Sequence, residues 1–199
     1  MAGTFSQIYI HVVFAVKGRE NLIGRAWEEE LYKYITGIVQ NKDQKMLAIN
    51  GMPDHVHFLI GMKPSCCLSD LVREVKKASN DFINERRFSK YRFQWQEGYG
   101  AFSYSHSSLD SVIRYINNQK EHHRKQSFRE EYMAFLKRFQ VEYKDEYLFE
   151  WIDEPGWRDA WDGINMRPLR GREIDNGDVM AINMWSLRDR GEPDGFQCL

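Results

Sequence analysis

Two histidines, His55 and His57, stand two residues apart in the stretch Asp54-His55-Val56-His57-Phe58-Leu59-Ile60. Side chains of a strand alternate, so His55, His57 and Leu59 share one face and Val56, Phe58 and Ile60 the other. Same-face neighbours on a strand stand about 7 Å apart, close enough for two imidazoles to converge on one divalent ion. Two surface histidines alternating on an edge strand would show the same spacing, so the pair needs a second constellation. Tyr115 and Gln119 supply one, a helical turn apart on a stripe beside the core face formed by Leu109, Val112, Ile113 and Ile116. A phenol and a carboxamide are thereby presented together. The structural alternative is a boundary tyrosine whose ring packs while its hydroxyl stays wet.

The elements that must carry these groups follow from periodicity. Residues 5–16 alternate, with Ile8, Ile10, Val12, Phe14 and Val16 on one face and Gln7, Tyr9 and His11 on the other, which describes a half-buried strand. A helix is expected over 25–41, with Leu31, Tyr34, Ile35, Ile38 and Val39 at helical spacing. Strands over 45–51 and 55–62, joined by the tight Gly51-Met52-Pro53-Asp54 turn, read as an antiparallel hairpin. Leu68, Leu71, Val72, Val75, Phe82 and Ile83 line a helix over 68–87 that Ser69 could cap. An interrupted strand over 93–104, a helix over 109–125 and a helical segment over 128–141 complete the order β-α-β-β-α-β-α-α. That order implies an α+β fold, an antiparallel sheet sandwiched by helices and related to ferredoxin-like folds.

With 199 residues and 23.7 kDa, the chain fits one domain with a small appendage. Its formal charge of −1 argues against binding nucleic acid by bulk charge alone. The average conceals an asymmetry. Residues 1–150 hold 22 Lys and Arg against 19 Asp and Glu, whereas 151–199 hold 6 against 10, with four of the six tryptophans and no lysine. We therefore expect a working domain over 1–150 and an accessory C-terminal extension over 151–199. No apolar run approaches the length of a membrane span, and the N-terminus lacks a signal-peptide pattern, so a cytoplasmic, unexported protein is expected. Cys66, Cys67 and Cys198 form no zinc or disulfide framework, and nothing in the sequence near Cys66 and Cys67 is expected to lower a thiol pKa.

The run Gly51-Met52-Pro53-Asp54-His55-Val56-His57-Phe58-Leu59-Ile60, followed by Tyr115-Ile116-Asn117-Asn118-Gln119, resembles the HUH (His-hydrophobe-His) single-tyrosine transposases of the smallest bacterial insertion sequences, including their REP-associated relatives. Tyr9-Ile10-His11, Leu68-Ser69-Asp70-Leu71 and Trp95-Gln96-Glu97-Gly98-Tyr99 extend the resemblance over about residues 4–149. It implies an HUH nuclease fold and site-specific cleavage and strand transfer of single-stranded DNA. By that resemblance His55, His57 and Gln119 hold Mg²⁺ or Mn²⁺, and Tyr115 is the nucleophile that forms a 5′-phosphotyrosine. The same resemblance implies that the 68–87 helix, through Arg73, Lys76, Lys77, Asn80, Arg86 and Arg87, contacts a DNA hairpin. The resemblance also implies a homodimer in which the Tyr helix of one subunit completes the metal site of the other, with the monomer of some REP-associated relatives as the alternative. His11 is a candidate support behind the histidine pair, and His122, on the Tyr115 stripe, contacts DNA, assists proton transfer or is solvated at the surface. Two other readings stand beside this one: a hairpin-binding protein that no longer transposes, and an unrelated metal-dependent hydrolase. The hydrolase would need carboxylate ligands that the histidine strand does not supply.

Overall fold

In the computed structural model, residues 5–18 and 22–151 are described, all within one unit, Met1–Arg158. Apart from Trp151, the extension expected over 151–199 lies outside the described residues, as does Cys198.

Alternating residues build β1 (Tyr9–Ala15), β2 (Lys45–Met52), β3 (His55–Gly61) and β4 (Gly100–Tyr104), which join in one antiparallel sheet of order β2-β3-β1-β4. The histidine strand β3 is thus interior, paired on both sides, and not the edge strand that would leave its side chains wet. On one face, Val12, Phe14, Val16, Val56, Phe58 and Ile60 are covered by α1 (Glu28–Asn41) and α2 (Leu68–Arg86) through Leu31, Ile35, Val39, Leu71, Val75 and Ile83. Each such fully buried side chain contributes about 1.5–3 kcal/mol. The other face carries His11, His55 and His57 and is covered by α3 (Leu109–Asn117), α4 (Gln119–His122) and α5 (Phe128–Arg138). A smaller apolar cluster of Ala48, Leu59, Val112 and Ile116 seals that side. The α+β sandwich expected from the element order is therefore the fold observed.

Three local expectations are corrected. The strand over 93–104 is confined to Gly100–Tyr104, with Trp95 making one isolated bridge to Val16. The Asn84 side chain takes both the N–H and the C=O of Phe93 (2.8 and 3.0 Å), and Gly98 turns the chain at φ 75°. Those polar bonds replace ladder bonds and send Phe93 and Trp95 into the core under α2. The helix over 109–125 divides at Asn118 (φ −99°, ψ 23°), because the Asn50 side chain captures the Asn117 carbonyl at 2.9 Å. Ser69 is not the cap of α2. That position is Cys67, whose thiol lies 3.1 Å from the Ser69 hydroxyl and is held below its ordinary pKa by this contact.

Gly51 pairs with Val56 at the start of the histidine strand, and a Cβ there would lie 2.3 Å from the His55 carbonyl oxygen. No side chain yields in such a contact, since the neighbour is backbone. Gly51→Ala is expected to destabilise the fold by about 1–3 kcal/mol, the usual cost of overpacking, measured as a lower urea midpoint at unchanged m-value.

Candidate metal and nucleophile site

Antiparallel register places Ala15 and Met52 on either side of His55, and Val13 and Asn50 on either side of His57. On the α3–α5 face both imidazoles are fully buried. The Asp54 carboxylate accepts from His55 Nδ1–H at 2.7 Å, which leaves the lone pair on His55 Nε2. Behind His57, the His11 ring stacks at 5.1 Å with its Nε2 2.9 Å from His57 Nδ1. Burial lowers His11 to about 3, and burial together with the surrounding imidazoles holds His57 well below the usual histidine range. Both are therefore neutral near pH 7, the form in which imidazole binds metal.

The opposite wall comes from α4 and α5. Ser127 caps α5 in a reciprocal capping box with Glu130, accepting from its N–H at 3.3 Å. The α5 stripe of Phe128, Glu131, Tyr132, Phe135 and Leu136 then faces the sheet, with Phe128 stacked on His55 at 3.9 Å. One member of that apolar stripe is a carboxylate. Glu131 Oε1 accepts from the Tyr115 hydroxyl and from Gln119 Nε2 (3.2 Å), while Oε2 lies 3.3 Å from His57 Nε2, 3.7 Å from His55 Nε2 and 3.2 Å from His123 Nε2. His123 Nδ1–H donates to the Gln126 carbonyl at 3.0 Å, so its Nε2 also offers a lone pair to this point. Burial, with the charge of Asp54 adding to it, raises the Glu131 carboxyl well above the usual carboxylate range.

This donor set fits a cation. Donor atoms of His55, His57, His123 and Glu131 lie within 4.8 Å of one another, and all four residues are buried. His55 Nε2, His57 Nε2, Gln119 Oε1 and Glu131 Oε2 are buried without a hydrogen bond, an arrangement that costs free energy unless a proton or an ion joins them.

The structure brings His55, His57, Tyr115 and Gln119 together within a single chain. Tyr115 is half-buried, with His122 beside it at a ring separation of 5.0 Å. The α2 residues lie across the sheet from this site. Arg73, Lys77, Arg86 and Arg87 are exposed, Arg73 bonded to Asp70 (2.8 Å) and Arg86 near Glu30 (3.6 Å). Asn80 is half-buried, and Lys76 turns inward to donate to the carbonyls of Gln96 and Gly98 (2.7 Å), where burial lowers it to about 8. Lys76 thus holds a loop. Sequence reasoning missed His123 and Glu131, although each carries a signal: a titratable residue sits on an apolar stripe, at Val112-Ile116-Gln119-His123 and Phe128-Glu131-Phe135.

Several known proteins are similar to this chain. A curated relative, the ISDra2 transposase TnpA of Deinococcus radiodurans, is 23% identical over 124 residues, 60% of this chain and 89% of its own length. Among solved structures, a transposase from Deinococcus radiodurans R1 is similar with 22% identity and a TM-score of 0.47, over 60% of this chain and 95% of its own. A REP-associated tyrosine transposase bound to a REP hairpin is similar with 15% identity and a TM-score of 0.46, over 62% of this chain and 74% of its own. The sequence pattern of the IS200-like transposases matches residues 4–119, which hold the histidine strand, the tyrosine and the glutamine. With more than half of its length matched in this way, the chain belongs to the IS200-like transposase family.

Proposed function

We propose that this protein cuts and rejoins single-stranded DNA next to a hairpin, with Tyr115 as nucleophile and Mg²⁺ or Mn²⁺ held by His55, His57 and Gln119. The observation that carries the reading is the meeting of the Tyr115 hydroxyl and the two strand histidines at one buried carboxylate, Glu131. A phosphodiester repels nucleophiles by its own charge, and a bound divalent ion supplies neutralisation of a non-bridging oxygen. The chain supplies the rest. Interior pairing of β3 and the Asp54 and His11 contacts fix the imidazoles, and α3 presents the phenol at hydrogen-bond range of an acceptor.

In the cleavage step the Tyr115 Oη–P bond forms and the P–O3′ bond breaks. The phenol proton passes to Glu131 Oε1, the acceptor its hydroxyl already faces, and the departing oxygen takes a proton from solvent water to leave as a 3′-hydroxyl, the proton on Glu131 returning to solvent. One phosphodiester replaces another, so a second 3′-hydroxyl can reverse the step without ATP. A phenol, with a pKa near about 10, leaves more readily than an alkyl alcohol. Exposed Arg73, Lys77, Arg86 and Arg87, with Asn80 between them, position hairpin phosphates on the far side of the sheet. A homodimer acting in the cytoplasm completes the reading. No described helix is long and apolar enough to cross a membrane.

Labelled hairpin DNA incubated with Mn²⁺ and boiled in detergent is expected to yield a covalent protein–DNA adduct, absent for Tyr115→Phe and with EDTA. Hairpin binding without an adduct in any metal would overturn the reading in favour of a binding protein that no longer transposes. Because one chain assembles the whole site, a mixture of Tyr115→Phe and His57→Ala proteins is expected to stay inactive; restored cleavage would show that the Tyr helix is exchanged between subunits. Replacing Arg86 and Arg87 by alanine is expected to weaken hairpin binding and to reduce the slope of log affinity against log salt by about 1 for each phosphate no longer neutralised.

A further inference from the structure

His123 and Glu131 lie beyond the segment, residues 4–119, that the family pattern matches. They nevertheless stand inside the histidine cluster, both buried, with His123 Nε2 3.2 Å from Glu131 Oε2. Neither is there by default. Glu131 occupies a position on the apolar stripe of α5 where leucine or phenylalanine would pack at no electrostatic cost, and a buried carboxylate survives only if it is paired or coordinates metal. His123 is oriented by a bond from Nδ1 to the Gln126 carbonyl, the partner typical of a metal-binding imidazole. The same pattern recurs at His55, which Asp54 holds through Nδ1.

We propose that His123 and Glu131 join His55, His57 and Gln119 as metal ligands, so that three imidazoles, one carboxylate and one amide oxygen bind a first-row transition ion in preference to Mg²⁺ and without DNA. The proposal rests on the metal reading above and sharpens it in two respects. Imidazole ligands suit the later first-row ions such as Co²⁺ and Zn²⁺, with Mn²⁺ the weakest binder of that series, whereas Mg²⁺ prefers oxygen donors, demands near-ideal octahedral geometry and dehydrates reluctantly. These buried donors, all from one chain, also need neither substrate nor partner subunit to complete the set. Glu131 then has a double task. Its Oε2 faces the ion while Oε1 accepts from Tyr115 and Gln119, so the residue that fills the sphere also positions the nucleophile.

The test is metal binding by the full chain in the absence of DNA, using Mn²⁺ and Mg²⁺ in calorimetric titrations and Co²⁺ by its visible absorption. Wild-type protein is expected to bind Mn²⁺ at least about tenfold more tightly than Mg²⁺, and Co²⁺ with a d–d band of nitrogen-rich coordination. His123→Ala and Glu131→Gln are each expected to lower Mn²⁺ affinity about tenfold or more and to change the Co²⁺ band, with Glu131→Asp intermediate. Equal affinity for Mg²⁺ and Mn²⁺ in wild-type protein overturns the proposal without any variant. So does unchanged Mn²⁺ affinity and an unchanged Co²⁺ spectrum in both His123→Ala and Glu131→Gln. If those two variants bind as wild type while His57→Ala does not, the metal reading stands and only the added ligands fail. If wild-type protein binds none of the three ions, both fall.

Discussion

A carboxylate enclosed by imidazoles, away from water, must share a proton or a cation, and this requirement organises the site face of the protein. Glu131 is that group. Its two oxygens receive the Tyr115 hydroxyl and the Gln119 amide on one side and confront His55, His57 and His123 on the other. Every element on the face has a role in keeping it there. The interior position of β3 buries the strand histidines, the capping box at Ser127 starts α5 in register, and the stripe that begins at Val112 and Ile116 carries on through Gln119 and His123 on the inner face. The raised pKa of Glu131 expresses the same constraint as an equilibrium: without a cation, a proton is the simplest way to reconcile carboxyl and lone pairs.

The two faces of the sheet divide the labour. One is an ordinary apolar interface, where Phe14, Phe58 and Trp95 pack edge to face beneath α1 and α2 at 4.6–6.0 Å. That face carries the stability, and α2 turns its exposed cations outward from it. The other face replaces apolar burial with a polar cluster and recovers order through aromatic contacts, among them Phe128 on His55 and Phe135 against His11 at 5.3 Å. The buried histidine cluster and the exposed cations of α2 are thereby separated by the thickness of one sheet.

Much of this was legible in the sequence because strand alternation and helical stripes are local. The parity of β1 and β3, the hairpin between β2 and β3 and the core stripes of α1 and α2 follow from the spacing of Val, Ile, Leu and Phe alone, and so does the shared face of His55 and His57. What was not legible depended on side chains that reach across the fold. Asn50, on another strand, divides the 109–125 helix; Asn84 pulls Phe93 off the sheet; Lys76, basic and helical, directs its charge to loop carbonyls. Glu131 escaped because acidic residues on a helix are ordinarily solvated, and only the packing of α5 against the histidine face shows that this one is not.

The amide of Gln96 ties the end of the described chain back to the sheet. Its oxygen accepts from the Glu150 N–H at 2.7 Å, and its nitrogen donates to the carbonyls of Glu150 (2.8 Å) and Val16 (2.9 Å). Phe149 and Trp151, on either side, pack on Phe128 and Tyr132 of α5. The exposed connection after α5 therefore runs between two fixed points, and its length is decoupled from the site. Since the entropy of such a closed loop grows only with the logarithm of its length, this stretch is where the architecture can absorb insertions while the helix bearing Glu131 keeps its place.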